Sequence, residues 1–270
     1  MSRRREPVPP DSRRIAAVIW DIDDTLVDTA PSYLVGQREA IARLGVEPAH
    51  EQHALELWNH LFAYFGQADR SSILHAISVE LGLAKRDATE LAHLAGAVRL
   101  SWHVGVTARD GAAECLSLLH AAGSALGIVS NGEPEPQKLK LKQADLSSYF
   151  ADEAMVFIPA GSPGAKPSAT GLLACAQALN VRSDQCCYVG DSPTDMIAAN
   201  LAGMTAVLVA STPQSAHFAV EQPAHVATDL HQLSRWLADR ICQEDRSHPS
   251  VHRGHAADRA AGGHPDHLTY

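Results

Sequence analysis

Short apolar segments alternate along the chain with longer amphipathic segments from residue 15 onward. The apolar segments are apolar throughout, rather than at every second position, which is typical of parallel strands covered on both faces. The predicted strands are 16–20, 125–130, 155–159, 186–190, 205–210 and the short 225–228. The predicted helices between them are 110–122, 135–144, 168–179 and 193–202. This alternation predicts an α/β fold with a Rossmann-like, doubly wound parallel sheet.

Residues 31–105 interrupt this alternation with a purely helical pattern. The predicted helices are 31–44, 50–65, 71–81 and 88–102. A crossover between parallel strands needs only about a dozen residues, so an insertion of this length predicts a separate helical lobe. The stripe formed by Leu57, Trp58, Leu61, Phe62 and Phe65 is interpreted as the core of that lobe rather than as a ligand pocket.

The two ends of the chain differ from its middle in composition. Residues 1–14 carry five Arg and three Pro, and residues 243–270 hold five of the fifteen His and almost no large apolar side chains. Such segments bury too little surface to offset their ordering entropy, so we predict a disordered arm and a disordered His-rich tail. A polyphosphate or acidic partner for the arm, and a metal ion for the tail, remain open alternatives. The predicted α/β core is then 15–30 together with 106–242.

The charge of the core excludes one class of partner. The chain carries a net charge of −9, the arm +3 and the tail −1, so residues 15–242 carry −11. A surface this acidic disfavours nucleic acid. The longest apolar run, 204–210, is far shorter than the roughly 20 residues of a membrane span. No apolar stretch of the signal-peptide type follows the N-terminal arginines, and we therefore predict a cytoplasmic protein without membrane contact.

The five cysteines are an odd number without the spacing of a disulfide framework. Cys186 and Cys187 are adjacent in an apolar run, where side chains alternate between the two faces of a strand. We interpret the cysteines as buried, reduced thiols.

Carboxylates follow two of the predicted strands. Asp21, Asp23 and Asp24 stand at the end of the first strand, and Asp191 and Asp195 follow the strand 186–190. Open α/β sheets bind ligands at the carboxyl ends of their strands. If the two strands are neighbours, these carboxylates converge and repel each other, and Mg²⁺ is the cation that best resolves the conflict. Capping of a strand exit or a helix start is the alternative for each segment taken alone.

Two weaker signals stand elsewhere in the chain. Ser130-Asn131-Gly132 ends the second predicted core strand, where a hydroxyl and backbone N–H groups can bind an anion, although a plain turn has the same pattern. Lys166-Pro167 precedes a predicted helix, and a lysine there is usually a surface residue.

The order and placement of these four segments resemble a known family. Asp-x-Asp-x-Thr at 21–25, Ser-Asn at 130–131, Lys-Pro at 166–167 and Gly-Asp-x-x-x-Asp at 190–195 resemble the four motifs of the haloacid dehalogenase superfamily. The helical insertion at 31–105 is similar to the cap domain of its phosphoglycolate phosphatase and nucleotidase branch. The segments 130–141 and 188–204 are similar to the pyrimidine 5′-nucleotidases and N-acylneuraminate-9-phosphatases.

The resemblance implies a role for each carboxylate. Asp21 would attack phosphorus and form an aspartyl-phosphate, and Asp23 would protonate the leaving alcohol and then deprotonate water. Asp21, the backbone carbonyl of Asp23 and Asp191 would hold Mg²⁺, with Asp195 supporting them. The dehalogenase branch lacks the second aspartate, so the presence of Asp23 favours a phosphatase.

The resemblance also implies roles for uncharged and basic residues. Ser130 and the backbone of Asn131 would bind phosphoryl oxygens, Lys166 would neutralise charge on the nucleophile and on the phosphoryl group, and Thr25 would help to fix the loop. In the cap, Arg70 is the candidate substrate contact, with an exposed arginine at a helix start as its alternative.

The sequence as a whole predicts a capped, Mg²⁺-dependent phosphatase of a small phosphorylated metabolite: a sugar phosphate, phosphoglycolate or a nucleoside monophosphate. The alternatives are a phosphomutase of the same superfamily and a non-catalytic phosphate-binding regulator. The sequence determines neither the individual ester nor the oligomeric state.

Overall fold

The computed structural model describes residues 14–65, 70–101, 105–210 and 223–241. The predicted arm, apart from Arg14, and the predicted tail lie outside these residues, as does the end of the helix predicted over 88–102. The strands are β1 (Ala17–Trp20), β2 (Val27–Asp28), β3 (Thr107–Ala108), β4 (Ala125–Asn131), β5 (Met155–Ile158), β6 (Cys186–Gly190), β7 (Thr205–Val209) and β8 (His225–Ala227). The helices are α1 (Ala30–Leu44), α2 (Glu51–Phe65), α3 (Arg70–Glu80), α4 (Ala88–Ser101), α5 (Ala112–Ala121), α6 (Pro134–Gln143), α7 (Thr170–Ala178), α8 (Pro193–Leu201) and α9 (Leu230–Ile241).

A parallel sheet of six strands forms the centre of the core, in the order β5-β4-β1-β6-β7-β8. The chain leaves β1 toward β4 and β5, and later returns to place β6 on the other side of β1. The strand order therefore reverses at β1, and a crevice opens at the carboxyl ends of β1 and its neighbours. The predicted α/β fold class is confirmed.

Successive residues of each strand face opposite sides of the sheet. Val18 and Trp20 of β1 pack in one apolar cluster with α5 and α9, whereas Ala17 and Ile19 pack in another with α7 and α8. Because both faces are covered, the strands carry almost no polar positions, which is the pattern visible in the sequence. Cys186 and Cys187 lie in opposite clusters, as their alternation in the strand predicts.

The helices α1–α4 lie between β2 and β3 and share their own apolar cluster. Trp58 of the predicted stripe is fully buried in this cluster, and Leu57 and Leu61 pack against it. The Nε1–H group of Trp58 donates to the hydroxyl of Tyr33 at 3.1 Å, which satisfies a polar atom that burial would otherwise leave unpaired. That these helices act as a lid over the crevice stays a prediction.

Two features were missed by the sequence analysis. β2 and β3 form a short antiparallel ribbon at the base of the helical lobe, and strands of two residues are too short to show periodicity. The helix α9 buries Leu230, Leu233, Leu237 and Ile241, whose spacing of three and four residues was a visible helical signal.

Within the part of the chain that the structure describes, no helix has both the length and the apolar character that crossing a bilayer requires.

Candidate active site

The reversal of strand order brings three loops to one edge of the sheet. Asp21 directly follows β1, Ser130 and Asn131 end β4, and Asp191 follows β6. β4 and β6 flank β1 on either side, so these residues, although far apart in sequence, converge at one crevice.

Three carboxylates and one lysine form the centre of this crevice. Carboxylate oxygens of Asp21, Asp191 and Asp195 lie within 4.8 Å of one another. The Lys166 Nζ atom lies 2.7 Å from Asp21 Oδ1 and 2.6 Å from Asp195 Oδ1. Lys166 is only 8% exposed, so the alternative of a surface lysine is wrong.

Burial and neighbouring charges shift the pKa values of the carboxyl groups and of the lysine in this arrangement. Burial raises the pKa of Asp21 to about 7, and repulsion by Asp195 and Asp23 adds to the shift, while Lys166 opposes it. Burial together with the charges of Asp21, Asp195 and Asp24 raises the pKa of Asp191 to about 8. For Lys166, burial lowers the pKa, but the carboxylates of Asp195 and Asp21 outweigh it and raise the pKa well above its ordinary range. One ammonium group therefore does not neutralise the site.

This donor set fits a hard divalent cation. Carboxylate oxygens are the ligands that Mg²⁺ and Ca²⁺ prefer, and here three carboxyl groups converge beside the single ammonium group of Lys166. A cation at this position removes the repulsion directly. The crevice is thus a candidate metal site.

Asp195 is held by the start of α8. Its Oδ2 atom accepts from the backbone N–H of Ser192 at 3.0 Å and from the Ser192 hydroxyl, and the Ser192 side chain accepts from the Asp195 N–H, which completes a capping box. Ser192, not Asp191, is therefore the N-cap of α8. A Cβ atom on Gly190 would lie 2.4 Å from Asp195 Cγ, so only glycine leaves room for this carboxylate.

Asn131 positions the lysine loop. Its side-chain amide donates to the backbone carbonyl of Lys166 at 2.9 Å and accepts from the Lys166 N–H at 2.8 Å. The segment is thus more than a plain turn, because this double contact fixes the loop from which the Lys166 side chain reaches Asp21. Thr25 is fully buried, and within the described residues its hydroxyl has no hydrogen-bond partner.

Asp23 and Asp24 diverge after β1. Asp24 adopts a left-handed conformation, with φ of 54°, and its carboxylate accepts from the N–H and hydroxyl groups of Thr29. The backbone carbonyl of Asp24 is bound by Arg109 at the end of β3. Asp23 instead turns toward α6, where Lys140 and Gln137 contact its two carboxylate oxygens.

The sequence analysis assigned no role to Tyr188, Gln137 or Lys140. The hydroxyl of Tyr188 accepts from Lys166 Nζ at 2.9 Å and lies 3.2 Å from Asp195 Oδ1. The sequence signal for Tyr188 was its hydroxyl group within an otherwise apolar strand, two residues before Gly190. The signal for the other two was their spacing of three residues, which places two polar side chains on one face of a helix.

Arg70 is the first residue of α3. It is half-buried, and its charge lowers the pKa of Tyr33, which burial raises to about 12. The alternative of a fully exposed arginine is therefore wrong, and contact with substrate stays a prediction.

The arrangement defines a class of protein: an α/β enzyme with a cluster of carboxylates, which could hold a metal ion, and a buried lysine at the switch point of its sheet. The sequence model of the haloacid dehalogenase-like hydrolase family matches residues 15–203, and the chain belongs to this family. The resemblance found in the motifs is confirmed.

Relatives and solved structures extend the match across most of the chain. A phosphoglycolate phosphatase of Rhodospirillum rubrum is 27% identical over 82% of this chain and 90% of its own length. Another, from Chromobacterium violaceum, is 28% identical over 73% and 86%. A haloacid dehalogenase family hydrolase from Deinococcus radiodurans R1, with bound phosphate and sodium, has a TM-score of 0.64 and 26% identity, covering 84% of this chain and 96% of that chain.

Proposed function

We propose that the chain is a Mg²⁺-dependent phosphatase that hydrolyses a small phosphorylated metabolite through an aspartyl-phosphate on Asp21. One observation carries the proposal: Asp21 is buried against Lys166 and against the carboxylates of Asp191 and Asp195, at the switch point of the sheet. A nucleophile for a phosphate ester needs concentrated positive charge beside it, and a lysine with a metal site supplies that.

The cation would be held by Asp21, the backbone carbonyl of Asp23 and Asp191. Asp195 would support it indirectly, because its oxygens already accept from the N–H and hydroxyl groups of Ser192 and from Lys166. When bound, the ion would offset the negative charge of the phosphoryl group and of the carboxylates. Mg²⁺ suits this set of oxygen ligands best, because it binds to few carboxylates together with a substrate phosphate.

In the first step, Asp21 attacks phosphorus in line and the bond from phosphorus to the ester oxygen breaks. The electron pair of that bond stays on the leaving oxygen, which takes a proton from the carboxyl group of Asp23. In the second step, Asp23 takes a proton from the water whose oxygen attacks phosphorus. The bond from phosphorus to the Asp21 oxygen breaks, its electron pair returns to the Asp21 carboxylate, and inorganic phosphate leaves. Lys166 stays within reach of Asp21, and Ser130 with the Asn131 N–H binds phosphoryl oxygens.

The substrate class follows from the relatives and from the helical insertion. The relatives' name identifies 2-phosphoglycolate as the ester to assay first, followed by sugar phosphates and nucleoside monophosphates. The phosphate in the Deinococcus radiodurans protein supports a phosphoryl-binding crevice in this fold. The helices α1–α4 would close over the crevice, exclude bulk water and select the ester, with Arg70 as a substrate contact.

Phosphate release from this panel of esters tests the proposal. We expect turnover with Mg²⁺, none with a chelator, and recovery when Mg²⁺ is returned. Asp21→Asn should lose at least about 10³-fold in kcat, since it removes the nucleophile. Asp184→Asn is the matched control, because Asp184 is an exposed carboxylate paired with Arg182, and it should retain wild-type kcat. Isomerisation of the ester without phosphate release would favour the mutase, and Mg²⁺-dependent binding without turnover would favour the regulator.

A further inference from the structure

Two buried polar side chains of α6 hold the carboxylate of Asp23. Lys140 Nζ is paired with Asp23 Oδ1, and Gln137 Nε2 donates to Asp23 Oδ2 at 2.9 Å. Lys140 is 6% exposed and Gln137 is 3% exposed. Each of the two carboxylate oxygens therefore has its own donor from the same helix face.

The burial of Lys140 distinguishes it from the other lysines of α6. Lys138 is partly exposed and pairs with Asp152 at 3.3 Å, and Lys142 is exposed. Burying an ammonium group is costly unless it is paired. Among the described residues, Asp23 is the only carboxylate in an ion pair with Lys140. The ammonium group of Lys140 is therefore positioned to contact the Asp23 carboxylate and not the solvent.

Gln137 links Asp23 to the phosphate-binding loop. Its Nε2 atom has two hydrogens, and it lies 2.9 Å from both Asp23 Oδ2 and the hydroxyl oxygen of Ser130. The opposite orientation of the amide would place Gln137 Oε1 against the carboxylate, so the contacts themselves determine which end faces Asp23.

Gly132 makes room for this amide. A Cβ atom on Gly132 would lie 2.7 Å from Gln137 Nε2, closer than non-bonded atoms approach. The third residue of Ser130-Asn131-Gly132 therefore has a packing reason to be glycine that is independent of any turn. The loop and the helix fit together around the donor to Asp23.

The other side of the Asp23 carboxyl group stays accessible. Its side chain is 30% exposed, in contrast to the 9% of Asp21. Each carboxylate oxygen has two lone-pair directions, so a donor from α6 on each leaves the outward direction free to hold or accept a proton. The contacts orient the group without occupying the position from which it would act.

We infer that Lys140 and Gln137 are positioning residues that aim the carboxyl group of Asp23 at the ester oxygen. The inference rests on the proposed function, in which Asp23 gives its proton to that oxygen as the bond to phosphorus breaks. A group aimed wrongly by about 1 Å can cost on the order of 100-fold in rate. The loss should appear only where the leaving oxygen needs a proton.

The test compares two esters in wild type and in Lys140→Met. An alkyl ester such as 2-phosphoglycolate needs protonation of its leaving oxygen, whereas 4-nitrophenyl phosphate releases a stable anion without it. The parameter is kcat/KM, because it covers only the steps up to the first release of alcohol or phenol. We expect kcat/KM for the alkyl ester to fall at least about 10-fold, and that for the aryl ester to change less than about 3-fold.

Two further variants make the result decisive. Gln137→Ala removes the second donor and should show the same selective loss, which carries the test if Lys140→Met does not fold. Lys138→Met changes a lysine on the same helix that faces Asp152, and it should leave both esters unchanged. An equal loss for both esters, or no loss for either, would overturn the inference while the proposed function stands. The alkyl ester used is the member of the panel that wild type hydrolyses; if wild type hydrolyses no ester of that panel, the proposed function fails and the inference fails with it.

Discussion

A single hydroxyl group in the middle of β6 connects the sheet to the charged centre of the site. Tyr188 is fully buried, and its hydroxyl donates to the backbone carbonyl of Val129 at 2.9 Å while it accepts from Lys166. Burial raises the pKa of this hydroxyl well above its ordinary value, so the group stays neutral and keeps its proton. It supports Lys166 without adding charge.

We expect Tyr188→Phe to lower the free energy of unfolding by about 1–3 kcal/mol. The change leaves the carbonyl of Val129 without this donor and removes one acceptor from Lys166, and unsatisfied buried groups cost this much. Tyr149→Phe is the control, because the Tyr149 hydroxyl pairs with Ser117 near the surface, where water replaces it. Urea denaturation measures both variants, and equal losses would contradict the assigned role of Tyr188.

At the scale of elements, the join between β6 and α8 shows how local geometry shapes the site. β6 ends at Gly190, Ser192 caps α8, and Asp195 stands one turn into the helix. The capping box satisfies N–H groups at the helix start, and it also fixes the carboxylate that Lys166 contacts. One short segment therefore ends a strand, starts a helix and places a charge.

We expect Gly190→Ala to lower the free energy of unfolding by about 1–3 kcal/mol, because the added Cβ atom overlaps the Asp195 side chain. Activity should fall as well, since Asp195 must move away from Lys166. Gly96→Ala is the comparison: Gly96 lies within α4 with nothing near the added Cβ atom, so alanine should stabilise by about 0.5–1 kcal/mol. Thermal denaturation checks both signs, and a neutral Gly190→Ala would contradict the overlap.

At the scale of the whole molecule, the buried apolar residues that the structure describes form separate clusters, two against the sheet and one within α1–α4. The carboxylates and Lys166 all belong to the sheet side. Changes within α1–α4 should therefore act on which ester binds, while the acidic cluster keeps its arrangement.

We expect Arg70→Ala to lower the ratio of kcat/KM for 2-phosphoglycolate over kcat/KM for 4-nitrophenyl phosphate, with Mg²⁺ affinity unchanged. The loss should be at least about 10-fold, since a charged hydrogen bond contributes about 1.5–3 kcal/mol. Arg38→Ala is the matched control, because Arg38 is an exposed lobe arginine paired with Glu51. An unchanged ratio would remove Arg70 from the substrate site.

The sequence by itself determined the six strands of the parallel sheet, the helices apart from α9, and the four motif segments. Strands buried on both faces must be apolar throughout, and helices between them must be amphipathic, so the α/β fold was visible in the pattern of residues. The positions of Asp21 and Asp191 in the site were predictable because carboxylates after such strands stand at the edge where ligands bind.

Only the tertiary structure decided which side chains meet. Asn131 and Lys166 are 35 residues apart, and Lys140 and Asp23 are 117 apart. No periodicity joins such pairs, because the contacts arise from the strand order and from how α6 packs on the sheet. Of the three lysines in α6, Lys140 is buried, whereas Lys138 is partly exposed and Lys142 is exposed. The packing of the helix alone determines which of them is buried.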